Sequence, residues 1–233
     1  MNISEMHYDF KKKLNKVDSE QNRNLLVPEI DWALNEAQEL FVKWIVEPRQ
    51  RSYMGLEKSQ RSIDDIRTLV ESDKVLLINN GVAPLPSDYL FFVKADVLMD
   101  KGNCKGVKGR LYIRQHDDEF ENSPFDKSNF EWRVVNGLFI TEGVKVFDDG
   151  TFTNKQIIMS YIRKPKYIHN AAAFRNGTYH LPSGAELAGT NDCELPEHTH
   201  REIVDIAVAL VSGELLSPDF QVKLSKLNFN ELK

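Results

Sequence analysis

The clearest pattern of apolar and polar positions in the chain runs from Pro28 to Val46. Its apolar residues recur every three or four positions, which is the spacing of one face of an α-helix. Pro28 suits a first helical position, Glu29 and Asp31 favour the positive end of the helix dipole, and Pro48 opposes continuation. The pattern predicts about four helical turns with one apolar stripe: Ile30, Ala33, Leu34, Ala37, Leu40, Phe41, Trp44 and Ile45.

A second helix is predicted from Pro196 to Ser212. Pro196 suits its first turn, and Gly213 suits the position just after its end. Apolar residues occupy most sides of this helix, which indicates that more than one neighbouring element buries it. We therefore expect the two helices to pack against each other. The apolar residues are Ile203, Val204, Ile206, Ala207, Val208, Leu210 and Val211.

Weaker helical spacing predicts three further helices, over residues 4–17, over residues 62–70 and from Ser217 onwards. The polar segment at residues 49–61 is predicted to be a loop between the Pro28–Val46 helix and the helix over residues 62–70.

The middle of the chain changes to short apolar runs and alternating positions. Asn80-Gly81 and Asp149-Gly150 are turn signals between these runs, so we expect a meander of short antiparallel strands. Residues 117–132 and 166–195 are predicted to be long loops. The predicted strands cover residues 74–79, 89–99, 109–116, 132–140, 144–147 and 156–165.

These elements predict the α+β class. Residues 1–73 and 195–233 are expected to form a helical body. Residues 74–194 are expected to form a β-rich insertion with long loops, so that the central antiparallel meander interrupts the helical body.

The composition of the chain argues against several classes of protein. The 233 residues include 35 acidic and 30 basic ones, for a net charge of −5, which argues against a dedicated DNA- or RNA-binding domain. The two cysteines, Cys104 and Cys193, are far apart and indicate neither a disulfide framework nor a zinc ribbon. The first residues lack the apolar run of a signal peptide, and no apolar stretch is long enough for a membrane span. We expect a soluble protein that stays where it is made.

One group of residues resembles a metal site: Cys193, His198 and His200. Two histidines that are two positions apart on a helix point about 200° apart, so they do not converge on one ion unless the helix unwinds. The acidic run Asp117–Glu119 is typical of a solvated loop. The sequence contains no recognisable nucleotide-binding, metalloprotease or nucleophile-elbow motif. We therefore expect no enzyme activity, no cofactor and no metal, with a metal-dependent hydrolase as the weakest alternative.

Aromatic residues are spread over the predicted strands. Aromatic residues in short strands are mostly core residues, but a set of them could also stack on a sugar or a base. A β-rich module that binds a glycan or another ligand through Tyr112 and Trp132 is therefore an alternative function. The full set is Phe91, Phe92, Tyr112, Phe130, Trp132, Phe139 and Phe152.

Four stretches in a fixed order carry a resemblance to a known family. They are WALNEAQELFVKWIV, PLPSDY at Pro84 to Tyr89, the hairpin DGTF leading into QIIMSYIRKPKYI, and ELPEHTHREIVDIAVALVSGELLSPDFQ. In this order they resemble the head–tail connector or neck-ring proteins of tailed bacteriophages, particularly those of crAss-like podoviruses. More loosely, they resemble the gatekeeper adaptors of other podoviruses. The resemblance covers roughly residues 25–222.

The resemblance implies a virion structural protein, assembled in the cytoplasm of the host bacterium. It implies a homo-oligomeric ring, usually of twelve subunits, stacked beneath the portal protein and next to other neck or tail rings. Packaged DNA would pass through the ring without sequence-specific binding, and no membrane would be involved. Under this hypothesis the apolar residues beyond the main stripe of the first helix, with part of the second helix, face an adjacent subunit. These candidate interface residues are Trp32, Val42, Ile203, Val204 and Val208.

Overall fold

The computed structural model describes residues 1–15, 25–46, 64–114 and 127–214. The chain divides into two compact units, which we call unit 1 (Met1–Thr68 with Pro165–Lys233) and unit 2 (Leu69–Lys164). Residues 165–194, predicted to belong to the β-rich insertion, lie in unit 1 with the terminal helices. The predicted loop at residues 49–61, the acidic run Asp117–Glu119 and the predicted helix from Ser217 lie outside the described residues.

The described part of unit 1 is built on the helices α1 (Ile3–Asn15), α2 (Val27–Val46) and α3 (His200–Glu214). Both α1 and α2 pack against α3, which confirms the predicted pairing of the two strongest helices. The contact sides of α2 and α3 are buried and aliphatic, and each fully buried Val, Leu or Ile side chain contributes about 1.5–3 kcal/mol on leaving water. The buried residues on these contact sides include Ile30, Leu34, Ala37, Ile203, Val204 and Ala207.

The predicted helix over residues 62–70 is shorter in the structure. A helical turn at residues 64–66 continues as a 3₁₀ turn at Arg67–Leu69. The chain then enters a strand at Val70, which pairs with Ile162. Long-range strand pairing therefore overrides the local helical spacing in the last residues of this segment.

Unit 2 is a seven-stranded sheet in the order β1-β7-β3-β4-β5-β6-β2. Every pair of neighbours is antiparallel except β4 and β5, which are parallel. The strands are β1 (Val70–Leu77), β2 (Val82–Ala83), β3 (Tyr89–Lys101), β4 (Cys104–Arg114), β5 (Val134–Ile140), β6 (Gly143–Val146) and β7 (Thr153–Arg163).

This sheet corrects the predicted fold class. The α+β prediction of a helical body with a small antiparallel meander is wrong. Among the residues that the structure describes, a curled, mixed, seven-stranded sheet that forms a half-barrel dominates the fold, and the helices are few and short. In sequence order a meander would place β7 at one edge, but β7 lies between β1 and β3. The segment between β4 and β5 is too long for a tight hairpin, and a parallel pair requires such a crossover connection.

Side chains alternate between the two faces of the sheet, and one face carries the core of unit 2. Bulges in β1 and β3 interrupt the regular pairing, and bulges strengthen local twist, which is consistent with the curl of the sheet. The buried residues on this face include Leu76, Ala95, Val97, Met99, Leu111, Val135, Ile157 and Met159.

Segment 165–194 returns the chain to unit 1. It contains a two-stranded antiparallel hairpin of β8 (Thr178–His180) and β9 (Glu186–Ala188). A 3₁₀ turn at Glu197–Thr199 then leads into α3.

Gly143 offers a test of the sheet at the β5–β6 turn. Its φ is +146°, and a Cβ atom at this position would overlap the carbonyl oxygen of Ala83 in β2. We expect Gly143→Ala to lower the free energy of unfolding by about 3 kcal/mol or more, because backbone strain adds to the overlap. Gly150→Ala is the matched control, since Gly150 has a φ of +78° but open space around it. It should cost only about 1–2 kcal/mol. Urea denaturation measures both values, and equal losses would contradict the predicted overlap.

Candidate subunit interface

Three polar side chains on the inward side of α2 hold segment 166–170. Asn35 donates a hydrogen bond to the carbonyl oxygen of Ile168 (2.7 Å) and accepts one from its backbone N–H (2.8 Å). The side-chain amide of Gln38 donates to the carbonyl oxygen of Lys166 (3.2 Å). Asp31 accepts from the backbone N–H of Asn170 (3.1 and 3.2 Å). These side chains form hydrogen bonds with the backbone groups of segment 166–170, as a neighbouring strand would. They thereby fix the rotation of α2 about its own axis.

Asp31 is the centre of this arrangement and is fully buried. Besides the N–H of Asn170, its carboxylate meets the Nε2 atom of His7 from α1 (2.7 Å) and accepts a hydrogen bond from the Tyr179 hydroxyl of β8 (2.7 Å). Burial, together with the hydrogen bond to this carboxylate, raises the pKa of Tyr179 above its ordinary value. The favourable position of Asp31 in the helix dipole does not predict its burial. The sequence feature that indicates its burial is the spacing of three polar residues within an otherwise apolar side of the helix. Asp31, Asn35 and Gln38 are four and three residues apart.

The opposite side of α2 carries a row of residues that we call the outer ridge: Trp32, Glu36, Leu40 and Trp44. Residues four apart form a continuous ridge on a helix, and this one spans about 18 Å. Trp32 is 55% exposed and Trp44 is 43% exposed. Glu36 is exposed, and Leu40 is half-buried. Trp44, predicted on the buried stripe, is exposed in the last turn of α2.

The five predicted interface residues divide into two groups. Trp32 lies on the outer ridge. Val42 is fully buried within the chain, as are Ile203 and Val204, and Val208 is only 4% exposed. Because α2 is covered by α3 and by segment 166–170, its buried surface is wider than one apolar stripe. These four residues therefore stabilise the subunit itself, and Trp32 is the predicted interface residue that reaches the surface.

Cys193 lies in the interior of unit 1. Its thiol donates a hydrogen bond to the Oε1 atom of Gln38 (3.3 Å), and burial raises its pKa to about 11. The thiol is therefore protonated at neutral pH, which does not suit a nucleophile or a metal ligand. Cys104, in contrast, is an exposed free thiol.

The two histidines that follow Cys193 have separate partners. The Nε2 atom of His198 lies 2.7 Å from the Oδ1 atom of Asp65. The imidazole of His200 is buried between the carbonyl oxygens of Met1 (2.9 Å) and Leu195 (2.8 Å). Within residues 1–15, 25–46, 64–114 and 127–214, no three His, Cys, Asp or Glu side chains converge as they would around a metal ion.

The aromatic residues predicted on the strands differ in burial, with Phe91 half-buried and Phe139 37% exposed. Phe152 is buried in the core, and Phe92 and Phe130 pack against it, as expected for core residues. Trp132 is 79% exposed and Tyr112 is 40% exposed. The guanidinium of Arg110 lies 5.4 Å from the centre of the Tyr112 ring. Because Tyr112 and Trp132 are exposed, a ligand-binding surface on unit 2 remains an alternative function.

Comparison with known protein families finds no match, and comparison with curated protein sequences finds no significant similarity. In the part of the chain that the structure describes, no helix is both long enough and apolar enough to cross a membrane.

Replacement of Asp31 tests whether its carboxylate organises unit 1. We expect Asp31→Asn to lower the free energy of unfolding by about 3–5 kcal/mol. The substitution replaces one carboxylate oxygen, which accepts hydrogen bonds, with an amide NH₂ group, which can only donate and would face other donors. Glu36→Gln, five residues further along the same helix but exposed, is the control and should change stability by less than about 0.5 kcal/mol. Chemical denaturation followed by circular dichroism measures both. A similar result for the two variants would show that Asp31 has no such role.

Proposed function

We propose that this protein is a structural subunit of the head–tail connector of a tailed bacteriophage. It forms a homo-oligomeric ring beneath the portal protein and joins the capsid to the tail. The order of sequence stretches that resembles neck-ring proteins supports this proposal. The structural observation that carries it is the outer ridge of α2, with Trp32 and Trp44 exposed at its two ends.

The chemistry of the outer ridge suits a protein–protein contact. Tryptophan is enriched among the residues that dominate binding energy at interfaces. The ridge also lies on a helix whose rotation is fixed by Asp31, Asn35 and Gln38. A rigid element presents its side chains in one arrangement, which reduces the entropy lost on assembly.

The charge of the chain suits a ring through which DNA passes. A net charge of −5 provides little of the phosphate neutralisation on which DNA affinity depends. Packaged DNA would therefore slide through the channel without being held. In this role the protein acts by assembly in the virion, with the portal and adjacent neck or tail rings as its partners, and needs no cofactor.

Substitution on the outer ridge tests the proposal. We expect the wild-type protein to form rings in the presence of portal assemblies, visible by negative-stain electron microscopy. The double variant Trp32→Glu, Trp44→Glu should lose at least about 90% of these rings, because charges replace the apolar contact, while its circular dichroism spectrum stays unchanged. Trp132→Glu, an exposed tryptophan of unit 2, is the matched control and should assemble normally. A wild-type protein that never joins a portal complex would contradict the function, and normal assembly of the double variant would contradict the role of the ridge.

A ligand- or glycan-binding surface on unit 2 is the second candidate function, favoured by the 79% exposure of Trp132. An aromatic ring that stacks on a sugar or base contributes about 1–3 kcal/mol. Under this alternative, Trp132→Ala should weaken saturable binding in a glycan array by at least about tenfold, and Trp32→Ala should leave it unchanged. The absence of saturable binding by the wild-type protein would remove this alternative.

A further inference from the structure

A groove on unit 1 lies between α1 and the first turn of α3. It has a volume of about 820 Å³, and its lining includes Ser4, Tyr8 and Lys12 of α1 and Arg201 of α3. Tyr8 is 71% exposed. An open depression with an exposed aromatic ring and long cationic side chains is suited to a protein segment that brings apolar and acidic groups.

Two cations of the groove are available to such a partner. Lys13 is not one of them, because its ammonium group forms ion pairs with Asp9 and Asp205, each at 2.8 Å. Burial alone would lower the pKa of Lys13, but the hydrogen bonds with these carboxylates raise it. Lys12 and Arg201 have no ion pair with a carboxylate among the described residues.

The groove also contains the acidic residues Glu5 and Asp9. The carboxylate of Glu5 accepts a hydrogen bond from the backbone N–H of Asn2 (3.0 Å). Asp9 is paired with Lys13. Lys12 and Arg201 are therefore the groove cations that no described carboxylate pairs, and they share the groove with the carboxylate of Glu5.

The outer ridge has the complementary character. Its central charge is the exposed Glu36, which has no ion pair with a described cation, whereas the neighbouring Glu39 is paired with Lys43 at 3.6 Å. The ridge is convex and the groove is concave. The ridge brings a carboxylate between two indole rings, and the groove offers cations beside a phenol ring. Opposite charges favour this pairing, and cations over the faces of tryptophan rings add to it.

We propose that the outer ridge of one subunit docks into the α1–α3 groove of the next copy of the same chain, with Glu36 facing Lys12 and Arg201. The inference rests on the proposed ring function and names the two surfaces that build the ring.

The two surfaces lie on different elements, so the contact is head-to-tail. After one contact forms, each copy keeps one free ridge or one free groove, and repetition of the same contact closes a ring when the rotation between copies allows it. A contact between two identical surfaces would instead stop at a dimer.

Charge reversal tests the pairing of Glu36 with Lys12. Under conditions in which the wild-type protein assembles, we expect Glu36→Lys and Lys12→Glu each to reduce ring yield by at least about tenfold, because each places like charges opposite one another. The double variant should recover to within about threefold of the wild type. Lys105→Glu, the same charge change at an exposed position in unit 2, is the control and should assemble normally. Wild-type assembly by the single variants, or no recovery in the double variant, would overturn the pairing and leave the ring function standing.

A mixing experiment tests the head-to-tail geometry independently. One variant has a blocked ridge (Trp32→Glu, Trp44→Glu), and the other has a blocked groove (Lys12→Glu, Arg201→Glu). Each should be monomeric alone, and their mixture should give one-to-one heterodimers by native mass spectrometry, because only one functional ridge and one functional groove remain. Circular dichroism checks that both variants are folded. Absence of the heterodimer where the wild type forms rings would overturn the proposal, and a wild type that forms no ring on the portal would overturn the ring function as well.

Discussion

The geometry of unit 1 depends on one carboxylate that has no contact with water. Burial of Asp31 costs several kcal/mol of lost hydration, and this cost is offset only while its hydrogen-bonding partners remain in place. Those partners come from α1, β8 and segment 166–170, which are far apart in sequence. Loss of any one partner leaves the carboxylate with fewer hydrogen bonds and so raises the net cost of burying it. The carboxylate therefore joins the elements of unit 1 into one cooperative arrangement and holds α2 at one rotation about its axis.

The fixed rotation of α2 links the interior to the surface. Successive residues on a helix point about 100° apart, so the position of Asp31 determines where Trp32 points. Asn35 and Gln38 continue the inward side, and Glu36 continues the outer ridge. Stability and the proposed assembly thus depend on adjacent residues of the same helix.

The sequence predicted the parts of the fold whose signal is local. The helices α2 and α3 follow from a repeated apolar spacing, and most strands of unit 2 follow from alternation and turn residues. Their order in the sheet did not follow, because the insertion of β7 between β1 and β3 is decided by contacts over long sequence separations. The exposure of Trp32 was predicted from its place beside the apolar stripe. The burial of Val42 and Asp31 was not, since it depends on which other segments cover α2.

The chain enters and leaves unit 2 at neighbouring points of the sheet. Val70, near the first residue of the sheet, pairs directly with Ile162, near its last residue. Paired residues on neighbouring antiparallel strands have Cα atoms about 5 Å apart. Unit 1 therefore needs only a short gap between residues 68 and 165 to accept the whole sheet. Such a gap would allow the segment between residues 68 and 165 to be replaced as a cassette while the helices are kept.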